Sequence, residues 1–251
     1  MPTDAAHDQR GQILNALAQL VAPLAQAVPG RAEVVLHDLS LLPNSIIAID
    51  GDLTGRKPGD PATDLLLEQI ASGRFETRIG YRTISPTGRH LRSTTIVIPD
   101  PSGLPIAALC LNCDITDWTA IATLVRSIVE GIGEESSASD TPVPAADEIS
   151  DQPPVLNASP IERVPRPSNA RDSEAFVHDV DELAAHLLRQ AVEEQGLAVD
   201  DMRKEHKLRA VASLKRRGFF LLRDAAETAA AALGVTRFTI YNYLNELGED
   251  Q

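Results

Sequence analysis

Residues 224–247 read DAAETAAAALGVTRFTIYNYLNEL, and the punctuation of this stretch decides the fold of the C-terminal part. Asp224, with Glu227 three residues on, has the form of a capping box, so a helix is expected to start there. The alanine-dense run Ala225 to Ala232 has high helical propensity and a thin surface that a second helix can approach closely. Leu233 closes it, Gly234 supplies a left-handed turn, Val235 plugs the angle, and Thr236 is placed to cap the next helix. This is a helix, a tight turn and a second helix.

On the second helix Ile240 and Leu244 fall one turn apart, with Val235 and Leu247 near the same side, which predicts the buried stripe. The other side presents Arg237, Phe238, Tyr241, Asn242 and Asn245. Arginine can grip guanine, asparagine can grip adenine, and tyrosine can reach phosphate or pack on sugar, so this face suits double-stranded DNA. The alternative is a plain two-helix packing unit with its aromatic residues in the core.

The segments GVTRFTIYNYL (234–244) and KRRGFFLLRDAAETAAAALG (215–234) closely resemble the helix-turn-helix of the YheO-like family of bacterial transcriptional regulators, a group that includes D-arginine-utilisation regulators. Upstream, VVLHDLSLLPNSIIAIDGDLTGRKPGDPATDLLLEQI (34–70) and YRTISPTGRHLRSTTIVIPDPSGLPIAALCLNCDIT (81–116) look like that family's N-terminal PAS-like domain. Two matches in the family's order are far more specific than a lone helix-turn-helix pattern. The resemblance implies a sensor domain followed by a DNA-reading domain.

The chain's 251 residues have room for one large or two small domains. No apolar run is long enough to span a membrane, and the start, MPTDAAHDQR, is polar, so a soluble, cytoplasmic protein is expected. Cys110 and Cys113 lie in an apolar run that reads as a strand, where residues three apart point to opposite faces. Two buried free thiols are expected, with neither disulfide nor metal, and no cofactor is implied.

The net charge of −13 argues against nucleic acid only if it is evenly spread, and it is not. Between Arg203 and Arg237 basic residues outnumber acidic ones, and local charge is what meets phosphates. Lys215, Arg216 and Arg217 are the candidates for phosphate contact.

From the N-terminus, Ile13, Leu17, Leu20, Val21 and Leu24 follow helical spacing, with Pro23 expected to kink or split the helix. Strands are expected at Glu33 to Asp38, Ser45 to Asp50, Tyr81 to Ile84, Leu91 to Ile98 and Ile106 to Ile115. Asp60 reads as an N-cap before Pro61 and a short helix. The helix Asp117 to Val129 carries Ile121, Leu124, Val125, Ile128 and Val129 as a stripe fit for part of a dimer contact.

Pro, Ser, Ala and acidic residues fill the stretch that follows, which reads as a disordered linker. Ser173 is expected to cap a helix through Glu194, in which His178 and His186 are read as solvated. A further helix from Asp201 turns Lys204, Lys207, Lys215, Arg216 and Arg217 outward and ends at Gly218.

The fold class is therefore α+β. Residues 1–132 form a PAS-like antiparallel sheet with flanking helices, 133–172 the linker, and 173–251 an all-α helix-turn-helix domain. The function expected is a one-component regulator, not an enzyme, that senses a small molecule or partner and binds operator DNA as a homodimer. His37, Asp38, Asn44, Thr83, Arg92 and Asn112 are the candidate ligand-binding residues, in a pocket between the sheet and the helical segment Pro61 to Ile70. Two alternatives stand beside it: a PAS module that only mediates protein interaction, and a metabolite-transforming enzyme using His37-Asp38, Asp60, Asp64 and Ser93.

Overall fold

Alternation of side chains along five strands builds one antiparallel sheet with two different faces. The structure, a computed structural model, describes residues 3–135 and 174–249. The strands are β1 (Ala32–Asp38), β2 (Ile46–Asp50), β3 (Arg78–Ile84), β4 (His90–Pro99) and β5 (Pro105–Asp114), in the spatial order β2-β1-β5-β4-β3. The meander β3-β4-β5 matches its turn signals, and β1 pairs with β5 at the centre.

One face is apolar. Val34 and Leu36 of β1 and Ala107 and Leu109 of β5 pack against Leu14, Val21 and Ala25 of α1 (Thr3–Ala27). Pro23 lies inside this single helix and does not split it. On the opposite face the register aligns Glu33, Asn112, Ser93 and Tyr81 in a row across four strands, all but Tyr81 fully buried.

Helix α2 (Asp64–Ser72) follows the loop after β2. Its N-cap is Thr63, whose hydroxyl accepts from Leu66 N, and not Asp60. Asp60 instead accepts from Lys57 N, closing the loop one step earlier.

The C-terminal helices are α4 (Val180–Glu193), α5 (Lys204–Arg216), α6 (Ala225–Leu233) and α7 (Arg237–Glu249). Leu183 and Leu187 of α4, Val211 and Leu214 of α5, Phe219, Leu233 of α6 and Ile240 of α7 form one core. That core continues into Leu66 and Leu67 of α2 and Ala108 of β5, so sheet and C-terminal helices share it. The chain divides into two units, which among the described residues are 3–115 with 174–249, and 116–135. In the second, α3 (Thr116–Glu135) exposes Trp118, Ile121, Leu124, Val125, Ile128 and Val129. The disordered linker expected at 133–172 lies outside the described residues from position 136 onward, and its first positions belong to α3.

The helix expected from Ser173 begins at Val180, capped by Asp179, whose side chain accepts from Glu182 N at 2.7 Å. Ser173 itself lies outside the described residues. Residues 174–177 lie outside any helix or strand, and Glu174, Phe176 and Val177 are buried.

Candidate functional site

The turn at 233–236 forms as its residues dictate. Gly234 adopts φ +61°, and its backbone N–H returns to the carbonyls of Ala230 and Ala231. Thr236 Oγ1 accepts from Thr239 N at 3.2 Å, which caps α7. The start of α6 differs from expectation. Asp224 sits at φ +53°, a left-handed conformation that aspartate tolerates, and makes no side-chain cap. Its carbonyl accepts from Glu227 N and Thr228 N instead, so the helix starts where expected by a different device.

On α7, Ile240 is fully buried, with Val235, Leu244 and Leu247 packed at the edge of the same core. Tyr243, three residues after Ile240, is buried with it and extends the stripe. Arg237, Phe238, Tyr241, Asn242 and Asn245 are all exposed on the outer side. Arg237 folds back over Tyr241, its guanidinium 5.5 Å from the ring centroid and its Nη2 donating to the Tyr241 hydroxyl at 3.0 Å. The contact pairs the guanidinium with the ring on the exposed surface.

The basic trio before the motif divides. Arg217 is not turned outward: its Nη2 pairs with Glu194 at 2.5 Å, its Nη1 donates to Gln190, and little of its side chain meets solvent. Arg216 is more exposed but stands 3.9 Å from Glu194 and 4.0 Å from Glu68. Partial burial pushes the Glu194 carboxyl up. Hydrogen bonds from Ser213 and Arg217 and the two arginine charges outweigh this and hold it below its ordinary value. Lys215 is half-buried and stands in none of these ion pairs. Sequence charge alone does not reveal that α4 presents its own carboxylate to this trio.

The residues expected to bind a ligand do not converge. Thr83 and Asn112 meet through Ser93, whose hydroxyl lies 2.6 Å from Thr83 Oγ1 and donates to Asn112 Oδ1 at 2.8 Å. His37 lies on the same face of the sheet, its Nδ1 2.8 Å from Ser45 Oγ. Burial, and then the nearby Arg56 charge, lowers its pKa to about 3, so the ring is neutral. Asp38 points to the other face, where it binds Arg10 and Ser40. Arg92 also leaves the sheet on that other face and is exposed, its guanidinium over Gly80. Asn44 is an exposed loop residue. His37 and Asp38 thus leave β1 on opposite faces, and the Ser93 hydroxyl engages Thr83 and Asn112. Cys110 and Cys113 are free, and Cys113 is half-exposed rather than buried.

Sequence reasoning missed the charged centre of this face. Glu33 is fully buried, accepting from Thr54 N at 2.9 Å and Thr54 Oγ1 at 2.7 Å. Arg56 Nη2 stands 3.5 Å from the same carboxylate, and Arg56 Nε donates to Thr54 Oγ1 at 3.0 Å. Arg56 Nη1, buried as well, has no hydrogen-bond partner among the described residues. Glu33 sits where the strand period demands an inward side chain, and an inward carboxylate calls for a partner. That was the one legible signal.

Residues 174–177 cover this centre. Glu174 Oε1 accepts from Thr63 Oγ1 at 2.7 Å, and Glu174 Oε2 accepts from the Tyr81 hydroxyl at 3.2 Å. Ala175 N donates to Asp64 Oδ1 at 2.8 Å. Phe176 packs with Leu53 and Leu91, its ring 5.0 Å from the Arg56 guanidinium. His178 and His186, expected to be solvated, approach Asp60 at 3.7 Å and Asp64 at 3.4 Å.

A five-stranded antiparallel sheet joined to a helix that presents arginine, asparagine and aromatic side chains fits a regulator with a DNA-binding helix-turn-helix domain. Residues 7–130 match the YheO-like PAS domain, and residues 183–245 match a helix-turn-helix domain. The chain is 30% identical over 220 residues to the transcriptional regulator DauR of Pseudomonas aeruginosa, covering 87% of this chain and 86% of that protein. It is 25% identical over 238 residues to YheO of Escherichia coli, covering 93% and 84%, and 24% identical over 248 residues to a protein of Haemophilus influenzae, covering 97% and 95%. The chain belongs to the YheO-like PAS family. Among the described residues no helix is long and apolar enough to cross a membrane.

Proposed function

We propose that this protein is a cytoplasmic one-component transcriptional regulator. Its PAS-like domain, residues 1–132, senses a small molecule or partner and thereby controls how residues 173–251 bind operator DNA, with 133–172 as the connection. The observation that carries this reading is the shared core. Leu66 and Leu67 of α2 pack with Leu214 and Phe219 beside the reading head, so a change on the sensor face reaches the DNA-binding helices by direct contact.

Arg237, Asn242 and Asn245 are proposed to read base edges, while Thr236, Phe238, Tyr241, Lys215 and Arg216 meet phosphate and sugar. A single such helix covers few base pairs, so the protein is proposed to act as a homodimer on half-sites about 34 Å apart. Trp118, Ile121, Val125 and Ile128 of α3 repeat at intervals of three and four and are each more than half exposed, the pattern of a helix that pairs with its own copy.

Genome-wide mapping of DNA bound by the tagged protein, followed by binding to a recovered site in vitro, tests the proposal. Sequence-specific binding that a metabolite or partner alters supports it. Binding without sequence preference, or none, overturns it.

A further inference from the structure

The sensor face is filled by the chain's own residues, and their chemistry is specific. A carboxylate, Glu174, takes two hydroxyl donors, Thr63 and Tyr81, in a buried position. Two residues on, the Phe176 ring lies between Leu53, Leu91 and the face of the Arg56 guanidinium. A carboxylate followed by a ring is how a small aromatic acid would look to this surface.

The fit is incomplete at the guanidinium. Arg56 Nη1 points from a buried guanidinium with no acceptor among the described residues, although Nε and Nη2 are satisfied by Thr54 and Glu33. A buried donor left unpaired is costly, and arginine is the side chain that best grips a free carboxylate. The Glu174 oxygens are engaged by Thr63 and Tyr81 instead, and its chain is tied through Ala175 N to Asp64. A carboxylate free of the chain has no such restraint. Burial also pushes the Glu174 carboxyl up, the largest of the influences on it, so the segment docks against a desolvation cost. The segment leads directly into α4 at Val180, whose Leu183 and Leu187 stand in the shared core.

We propose that Glu174 to Phe176 are a tethered occupant of the effector site, and that the effector is a small carboxylate bearing an apolar ring, which binds by displacing them. This rests on the sensing role proposed above. Displacement releases the restraint at the head of α4 and so changes the pose of the reading head.

Benzoate, phenylacetate and 3-phenylpropionate, each beside its uncharged alcohol, are added to the full-length protein, and amide hydrogen exchange is followed at residues 174–177. At least one acid is expected to speed exchange there at least fivefold and saturably, while its alcohol does not. Calorimetry with Phe176→Ala is expected to give at least tenfold tighter binding of that acid, since the competitor is weakened. Glu174→Gln, which keeps side-chain size, serves the same purpose if Phe176→Ala folds poorly. No effect of any acid on exchange or calorimetry, or equal effects of acid and alcohol, overturns the proposal. Operator affinity of the same variants separates the two failures. If Glu174→Gln or Phe176→Ala shifts operator affinity threefold or more while no acid binds, the carboxylate assignment is wrong and the sensing role stands. Unchanged operator affinity in every variant, with or without acid, defeats the sensing role itself.

Discussion

Thr63 uses one hydroxyl for two tasks: it accepts from Leu66 N at 3.3 Å to cap α2, and it donates to Glu174 Oε1 at 2.7 Å across 111 positions of sequence. Thr63→Ala removes the cap, at about 1 kcal/mol. It also strips a donor from a buried carboxylate, at about 1–3 kcal/mol more. Thr63→Ser should recover most of both. Urea denaturation of the three proteins, with exchange at Ala175 N as the local readout, checks this.

Arg237→Ala and Asn242→Ala should each weaken operator binding by about 1–3 kcal/mol and relax base preference at one position of each half-site. Lys215→Ala should lower affinity on all sequences alike and reduce the salt slope by about one unit. Arg217→Ala belongs to another class, since it breaks the pair with Glu194 and should act first on thermal stability. Ile240→Asp, at the fully buried centre of α7, is the unfolded control. Fluorescence anisotropy across salt concentration, on cognate and scrambled sites, distinguishes these outcomes.

Gly218 ends α5 at φ +77°, and a Cβ there would stand 2.7 Å from the carbonyl oxygen of Leu67. Gly218→Ala therefore meets both a left-handed backbone and a rigid neighbour, and should cost about 1–3 kcal/mol. Gly88, also left-handed at φ +79°, has nothing near its Cβ position, so Gly88→Ala should cost less. A loss at Gly218 no larger than at Gly88, by thermal denaturation, would show that the close approach does not form.

His37 is held neutral in the fold, its pKa lowered from 6.5 to about 3 by burial and by the Arg56 charge. Below pH 6.5 the unfolded chain binds a proton there that the folded chain does not. Stability from this group is therefore complete above 6.5 and falls as pH drops toward 3, by up to about 1.4 kcal/mol per pH unit. His37→Gln should be less stable at neutral pH and show a shallower acid limb. Denaturation curves at intervals between pH 7.5 and 4.5 measure the slope of each protein.

Paired Ile121→Glu and Ile128→Glu substitutions place charge on the exposed stripe of α3 and should shift the protein to monomer at micromolar concentration. Light scattering with and without operator DNA reads this directly. A dimer that persists in the double variant moves the contact elsewhere.

The turn at Gly234, the cap at Thr236 and the strand meander were legible because each is a local event, settled within a few residues. The misreadings share the opposite property. Asp224, three residues before Glu227, has the right letters for a capping box, but the chain enters α6 through a left-handed residue, directly after a turn that buries Phe219 and Leu222. The supposed start of α4 at Ser173 failed because Glu174 and Phe176 answer to Thr63, Tyr81 and Arg56, about a hundred residues away. The Glu33, Thr54 and Arg56 centre joins a strand to a loop more than twenty residues on, and no spacing rule links them. The candidate site was half visible: the polar face of the sheet could be read, but not what covers it.

The approach of Gly218 to Leu67 and the burial of Phe176 by Leu53 and Leu91 bear on how such proteins diversify. A recombination joint placed in the stretch between α3 and Glu174 transplants the C-terminal helices together with the segment that fits its parent's sheet. The hybrid then inherits a mismatched seat for residue 176 and a mismatched bed for residue 218. Point changes on the outer side of α7, where Arg237, Asn242 and Asn245 are exposed, leave that seat and that bed intact, whereas swapping whole halves does not.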